Sequence, residues 1–205
     1  MQRIDDILTF WFGSPDVLDH GQLPDDQTSI WFAGGDEVDQ AIENEFGDDV
    51  RRALDGAYKD WADSAHGRLA LILLLDQFTR NIFRGTPRAF AGDPRALGLA
   101  LDGIDRSHDI SLDPIGRVFL YMPLEHAEEI GHQERCVQLM ESLVDEVDDD
   151  RRPLFDGFYD SAVDHRDIIE KFGRFPHRNP ILSRTSSPKE QTYLDESGQN
   201  FGQSS

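Results

Sequence analysis

Apolar residues recur along most of this chain at helical spacing. Ile4, Ile7, Leu8, Trp11 and Phe12 follow the i, i+3, i+4, i+7 pattern of an amphipathic helix, which Gly13-Ser14-Pro15 ends. A polar loop rich in Asp, Gly and Pro is expected through Gln27, and a short aromatic element, Ile30-Trp31-Phe32, is closed by Gly34-Gly35. Asp36 reads as the N-cap of a helix carrying Val38, Ile42 and Phe46, with Gly47 as the place for a break before Leu54. One helix is expected over residues 69–83, interrupted by Thr86-Pro87. Asp93-Pro94 and Asp113-Pro114 repeat a single start signal, an acidic cap with proline in the first turn. The first opens a helix expected to bury Leu97, Leu101 and Ile104. The second opens one holding Val118, Phe119 and Met122, with a distortion at Pro123. Helices over 132–147 and 153–172 follow, the latter stopped by Gly173; beyond it, only 189–194 has helical character.

No segment alternates like a half-buried strand. The expectation is an all-α fold of about seven main helices arranged as antiparallel hairpins on short loops. One domain would span residues 1–196, with a disordered tail over 197–205. Trp11, Leu71, Leu74, Phe119, Met122, Ile168 and Phe172 are expected in its core.

Three segments break the amphipathic rule. LALILLLDQFTRNIFRG, residues 69–85, turns from an unbroken apolar run into a set of charges, with Asp76, Arg80 and Arg84 at i, i+4, i+8 and Asn81 beside them. An unpaired buried charge costs several kcal/mol, so such a stripe is either paired or ligand-bound. In the second segment Arg117, Tyr121 and Glu125 share a stripe with His126 adjacent. The third runs from His165 through Asp167, Arg174, His177 and Arg178 to Asn179.

Composition narrows the partners. The chain carries 28 Asp and 12 Glu against 17 Arg and 3 Lys, a net charge of −20. That argues against general nucleic-acid binding, which needs a basic face, and against an anionic membrane surface. The Asp excess fits either a solvated acidic surface or adaptation to a saline cytoplasm. Cys136 is the single cysteine, so no intrachain disulfide can form, and its apolar neighbours mark it as core filler. The N-terminus has no apolar signal core, and the longest apolar run, 69–75, is far short of the roughly 20 residues that span a bilayer. A cytoplasmic location is expected.

At this point the chain resembles a family. LALILLLDQFTRNIFRGTPRAFAGD, RVFLYMPLEHAEE and HRDIIEKFGRFPHRN are similar to the three signature blocks of the bacterial domain-of-unknown-function family 924, as are ILTFWFG, Trp31-Phe32 and the closing FGQ. The resemblance covers nearly the whole chain and implies an all-helical fold akin to tetratricopeptide repeats, without a legible repeat. It implies no catalytic residue set. Thr79 stands where members usually carry Pro, and Ala127 where Ser is common.

Three functions remain open. The first is a polar recess in which Arg80, Arg84, Arg174 and Arg178 bind a small anionic metabolite or an acidic peptide end, with Asp76, Asn81, Arg117, Glu125, Asp167, His177 and Asn179 around them. The second is a hydrolase or group transferase using His126 or His165 as acid/base beside Glu125, Asp76 or Asp167. The third is an interaction scaffold whose polar blocks are structural salt bridges. Metal-ligand spacings such as H-E-x-x-H, phosphate-binding glycine loops and G-x-S-x-G are absent, so no metal and no cofactor is expected. Oligomeric state is left open by the sequence.

Overall fold

The computed structural model describes residues 1–20, 24, 27–32 and 35–197, and among them every regular element is helical. Helix α1 (Gln2–Phe12) ends at Gly13, whose φ of 83° lets its N–H return to the Thr9 carbonyl. Short helices α2 (Val17–His20) and α3 (Thr28–Phe32) follow, the first inside the stretch expected to be loop. Gly34 and residues 198–205, with the FGQ segment, lie outside the described residues; Ser197, expected in a tail, ends a helix.

Helix α4 (Asp36–Leu54) runs through Gly47 without a break. Its N-cap is Gly35, and Asp36 is the first helical residue, where its charge complements the helix dipole without capping. The next helix starts earlier than its apolar run suggests. Ser64 caps α5 (Ala65–Ile72) by accepting from the Gly67 N–H. A π turn over Leu73–Gln77 then leads into α6 (Phe78–Ile82), with the Phe78 N–H reaching back five residues to the Leu73 carbonyl.

Helix α7 (Asp93–Asp105) buries Ala96, Ala100 and Gly103, whereas Leu97, Leu101 and Ile104 are only half-buried. The inward face therefore sits one position from the expected one. At Gly103 the lack of a side chain makes room for fully buried Arg68: a Cβ there would lie 2.7 Å from the Arg68 Cδ. Helix α8 (Pro114–Glu125) is capped by Asp113 and carries Pro123 inside. Connections of four and five residues then return the chain as α9 (Ile130–Glu146) and α10 (Arg152–Phe172), each packed on its predecessor as antiparallel hairpins. Gly173, at φ 70°, stops α10; α11 (Pro188–Ser197) comes last.

One apolar cluster runs from α1 to α10 around Trp11, Phe12, Phe46, Phe78, Phe119 and Phe158. A smaller one joins Ile168, Ile169 and Phe175. Trp11, Leu71, Leu74, Phe119 and Ile168 are buried as expected, and so is Cys136. Met122 and Phe172 are only half-buried, each on the flank of a cluster. Among the described residues, no helix is long and apolar enough to cross a membrane.

Candidate functional site

The π turn sets the floor of the site. It delivers Asp76 into the interior with no exposure at all, at the point where the apolar run ends. Three neighbours hold the carboxylate. Arg80, one turn on, lies 3.2 Å from it; Gln77 Nε2 donates at 2.6 Å; His126 Nδ1 meets it at 2.8 Å. Burial pushes the Asp76 carboxyl up, but the Arg80 and His126 charges and the hydrogen bonds from His126 and Gln77 outweigh it. The group stays well below the usual carboxylate range. Thr79 turns its hydroxyl onto the Leu75 carbonyl at 2.8 Å, supplying a donor where the π turn disturbs the ladder.

Arg80 continues to Asp93 at the start of α7, meeting both oxygens at 2.9 and 3.1 Å. Asp93 therefore pairs a cation rather than capping its helix, for which no side-chain bond exists. Behind His126, Glu125 accepts from Ser161 at 2.9 Å and lies 3.2 Å from His165 Nδ1. The two imidazoles are 6.3 Å apart. Burial pushes the His165 ring down, against the pull of Glu125 and helped by the charge of His126.

The segment after α10 closes over this cluster. Phe175 is fully buried against His165, and its N–H donates to Glu128 at 2.8 Å. Arg184 bonds both oxygens of Glu128, the Phe175 carbonyl and the Asn179 amide oxygen. With the path so held, a tight turn over Pro176–Arg178 carries Arg178 back across the helices. Its guanidinium is clamped between the rings of Phe90 and Phe175, at 4.8 and 4.5 Å. Arg178 is 6 % exposed, yet its single ionic contact among the described residues is Asp93 at 3.6 Å, and its Nε is buried without a partner. Burial, with Arg80 nearby, lowers its pKa to about 10. His177 beside it is pushed down to about 3, by burial first and then by the Arg178 charge.

Arg178 and His126 line one cleft of about 340 Å³. Leu97, Pro123 and Ala127 make its apolar wall, and Glu129 and His132 line its more exposed part. Among the described residues, no group of three His, Cys, Asp or Glu side chains converges to hold a metal ion.

The expected four-arginine recess does not form. Helix α6 ends at Ile82, so Arg84 leaves the stripe and pairs with both oxygens of Asp39 on α4, which Asn81 also bonds at 2.7 Å. Arg174, just past the Gly173 reversal, takes both oxygens of Glu190 on α11. Arg117 lies at the far end of α8, on the Leu112 carbonyl and Glu146. Asp167 is exposed and meets Arg166, while Asn179 serves the loop through Ser186 and Arg184. Asp76, Arg80, Glu125, His126, His165, His177 and Arg178 do come together. Asp93, Glu128 and Phe90 join them unforeseen: Asp93 carried the signature of a helix cap, and the other two no signal of their own.

This arrangement can be set beside known proteins. No curated protein matches the chain. A solved structure of the protein of unknown function ATU0120 from Agrobacterium tumefaciens is similar, with a TM-score of 0.77 and 38% identity over 95% of this chain and 98% of that one. The sequence profile described as "Bacterial protein of unknown function (DUF924)" matches residues 7–198. The chain thus belongs to the DUF924 family of bacterial proteins of unknown function.

Proposed function

We propose that the cleft between α7, α8 and the 173–179 loop binds a small anionic ligand, with Arg178 as its recognition group. The observation that carries this is the state of Arg178: a buried cation between two aromatic rings, with an orphaned Nε and no hydrogen bond from its guanidinium to the protein among the described residues. Scaffold arginines are saturated, as Arg80, Arg84 and Arg174 are here. A buried donor left open costs on the order of 1–3 kcal/mol, which favours a partner supplied from outside. A carboxylate or phosphate matches the guanidinium fork, and the volume suits a small metabolite.

Thermal melting against a panel of small mono- and dicarboxylates and phosphates tests the reading. An anion at a hundred times its dissociation constant stabilises by about 2.7 kcal/mol, several degrees for a domain of this size. Arg178→Met should abolish that shift. Melting unchanged across the whole panel would overturn the proposal in favour of a purely structural cluster.

A further inference from the structure

We infer that His126 is a general base that activates water in this cleft for hydrolysis of a carboxylate-bearing ester, its carboxylate held by Arg178. The inference rests on the anion-binding reading above and adds chemistry to it. Asp76 is fully buried and ionised between Arg80, Gln77 and His126, so it accepts and the His126 Nδ1 carries the hydrogen. In the neutral ring Nε2 then holds the lone pair. Among the described residues Nε2 has no protein partner, and the ring lines the same cleft as Arg178. A buried carboxylate fixing the tautomer of a cleft histidine is the orienting relationship that general bases use.

The lining also limits the chemistry. None of the described residues around the cleft is Ser, Thr, Cys or Lys, and its carboxylates Asp93, Glu128 and Glu129 are each paired with a basic side chain, which favours water as the nucleophile. An ester needs little help at its leaving oxygen, whereas an amide needs a positioned acid. In the proposed step Nε2 takes a proton from water as the water oxygen bonds to the ester carbonyl carbon, whose π pair moves onto oxygen. Collapse of that adduct breaks the bond to the alkoxy oxygen, which takes the proton from Nε2. The products are a carboxylic acid and an alcohol, and the base is regenerated. The charged and titratable groups around the ring among the described residues are Asp76, Arg80, Glu125, His165 and His177 on the protein side and Asp93, Glu128, Glu129, His132 and Arg178 in the cleft.

Hydrolysis of mono-p-nitrophenyl succinate and of p-nitrophenyl acetate, followed against pH, tests this. The hemiester should be the better substrate, with a rate that rises from acid to a plateau. His126→Ala should lower kcat about a hundredfold or more, and added imidazole should restore part of it, a rescue that a structural role cannot give. Arg178→Met should raise KM for the hemiester at least about tenfold with a smaller effect on kcat. If succinate stabilises the protein but neither ester turns over above background, or if His126→Ala is fully active, the catalytic inference fails and the binding site stands. If succinate and the rest of the anion panel leave melting unchanged, the binding reading fails first.

Discussion

Arginines that look alike in the sequence differ in whether a carboxylate saturates them. Arg84 and Arg174 each hold a neighbouring helix by two bonds to one carboxylate, whereas Arg178 is buried with its donors largely unused. The consequences are opposite. Arg84→Ala should cost about 1–3 kcal/mol in urea unfolding, because it strips Asp39 of a charged partner, and should leave any anion-induced shift intact. Arg178→Met should fill the space between Phe90 and Phe175 with no donors to satisfy, so stability should hold or rise by up to about 1 kcal/mol. A large loss of stability in Arg178→Met would mean that the cation is a structural partner. The buried histidines add a pH dependence. His165 and His177 are held neutral, so below about pH 6.5 the unfolded chain binds protons that the folded one refuses. Stability is therefore full above that value and falls with acid, by up to about 1.4 kcal/mol per pH unit for each ring. Asp76, whose carboxyl is lowered by folding, adds its own loss only below about pH 4. Unfolding midpoints at pH 7 and 5 check the slope, and His177→Gln should flatten it.

At the scale of elements, the segment over residues 69–85 is both the most legible and the most misleading. Its apolar run marks a buried helix, and Leu69 to Leu75 are indeed fully buried. That same burial hides the π turn, since a helix with no solvent face has no amphipathic phase in which one extra residue would show. What accommodates the turn lies in another element. Gly92 presses its Cα against the π segment, and a Cβ there would sit 2.1 Å from the Leu75 carbonyl oxygen. Gly92→Ala should therefore destabilise by about 1–3 kcal/mol, the range for overpacking, and should disturb Asp93 and with it the Arg80 pair. A melting temperature equal to the parent's would show that the backbone yields there. The inward face of α7 departs from its leucine periodicity for a related reason. Leucine periodicity marks apolar content, but the close approach of Arg68 selects Gly at position 103.

For the whole molecule the dominant quantity is the charge of −20. At about 0.01 M ionic strength the Debye length is about 30 Å, comparable to the protein, so nearly all the excess carboxylates repel one another; at about 1 M it is about 3 Å. Screening also weakens exposed ion pairs, but these contribute little individually. Melting temperature should climb as KCl rises from millimolar to molar, with chloride chosen because sulfate would strengthen apolar burial as well. A curve flat across that range would dispose of the saline-cytoplasm reading and leave an ordinary solvated surface.

Local chemistry is what the sequence by itself determined. Periodicity, the Asp113-Pro114 start, and the Gly13 and Gly173 stops depend only on neighbours three or four positions away, and the structure places them where the pattern does. Even the polar blocks were legible, because charge beside a long apolar run has few stable outcomes. Which charges meet was decided by tertiary structure alone. Arg80 and Arg84 lie four residues apart in one block, but the helix ends between them, and their partners Asp93 and Asp39 belong to two different helices. Pairing falls off within a few ångströms, while the partners are 13 and 45 residues apart. Only the folded chain could leave Arg178, of all the arginines in these blocks, inside the protein without a carboxylate of its own.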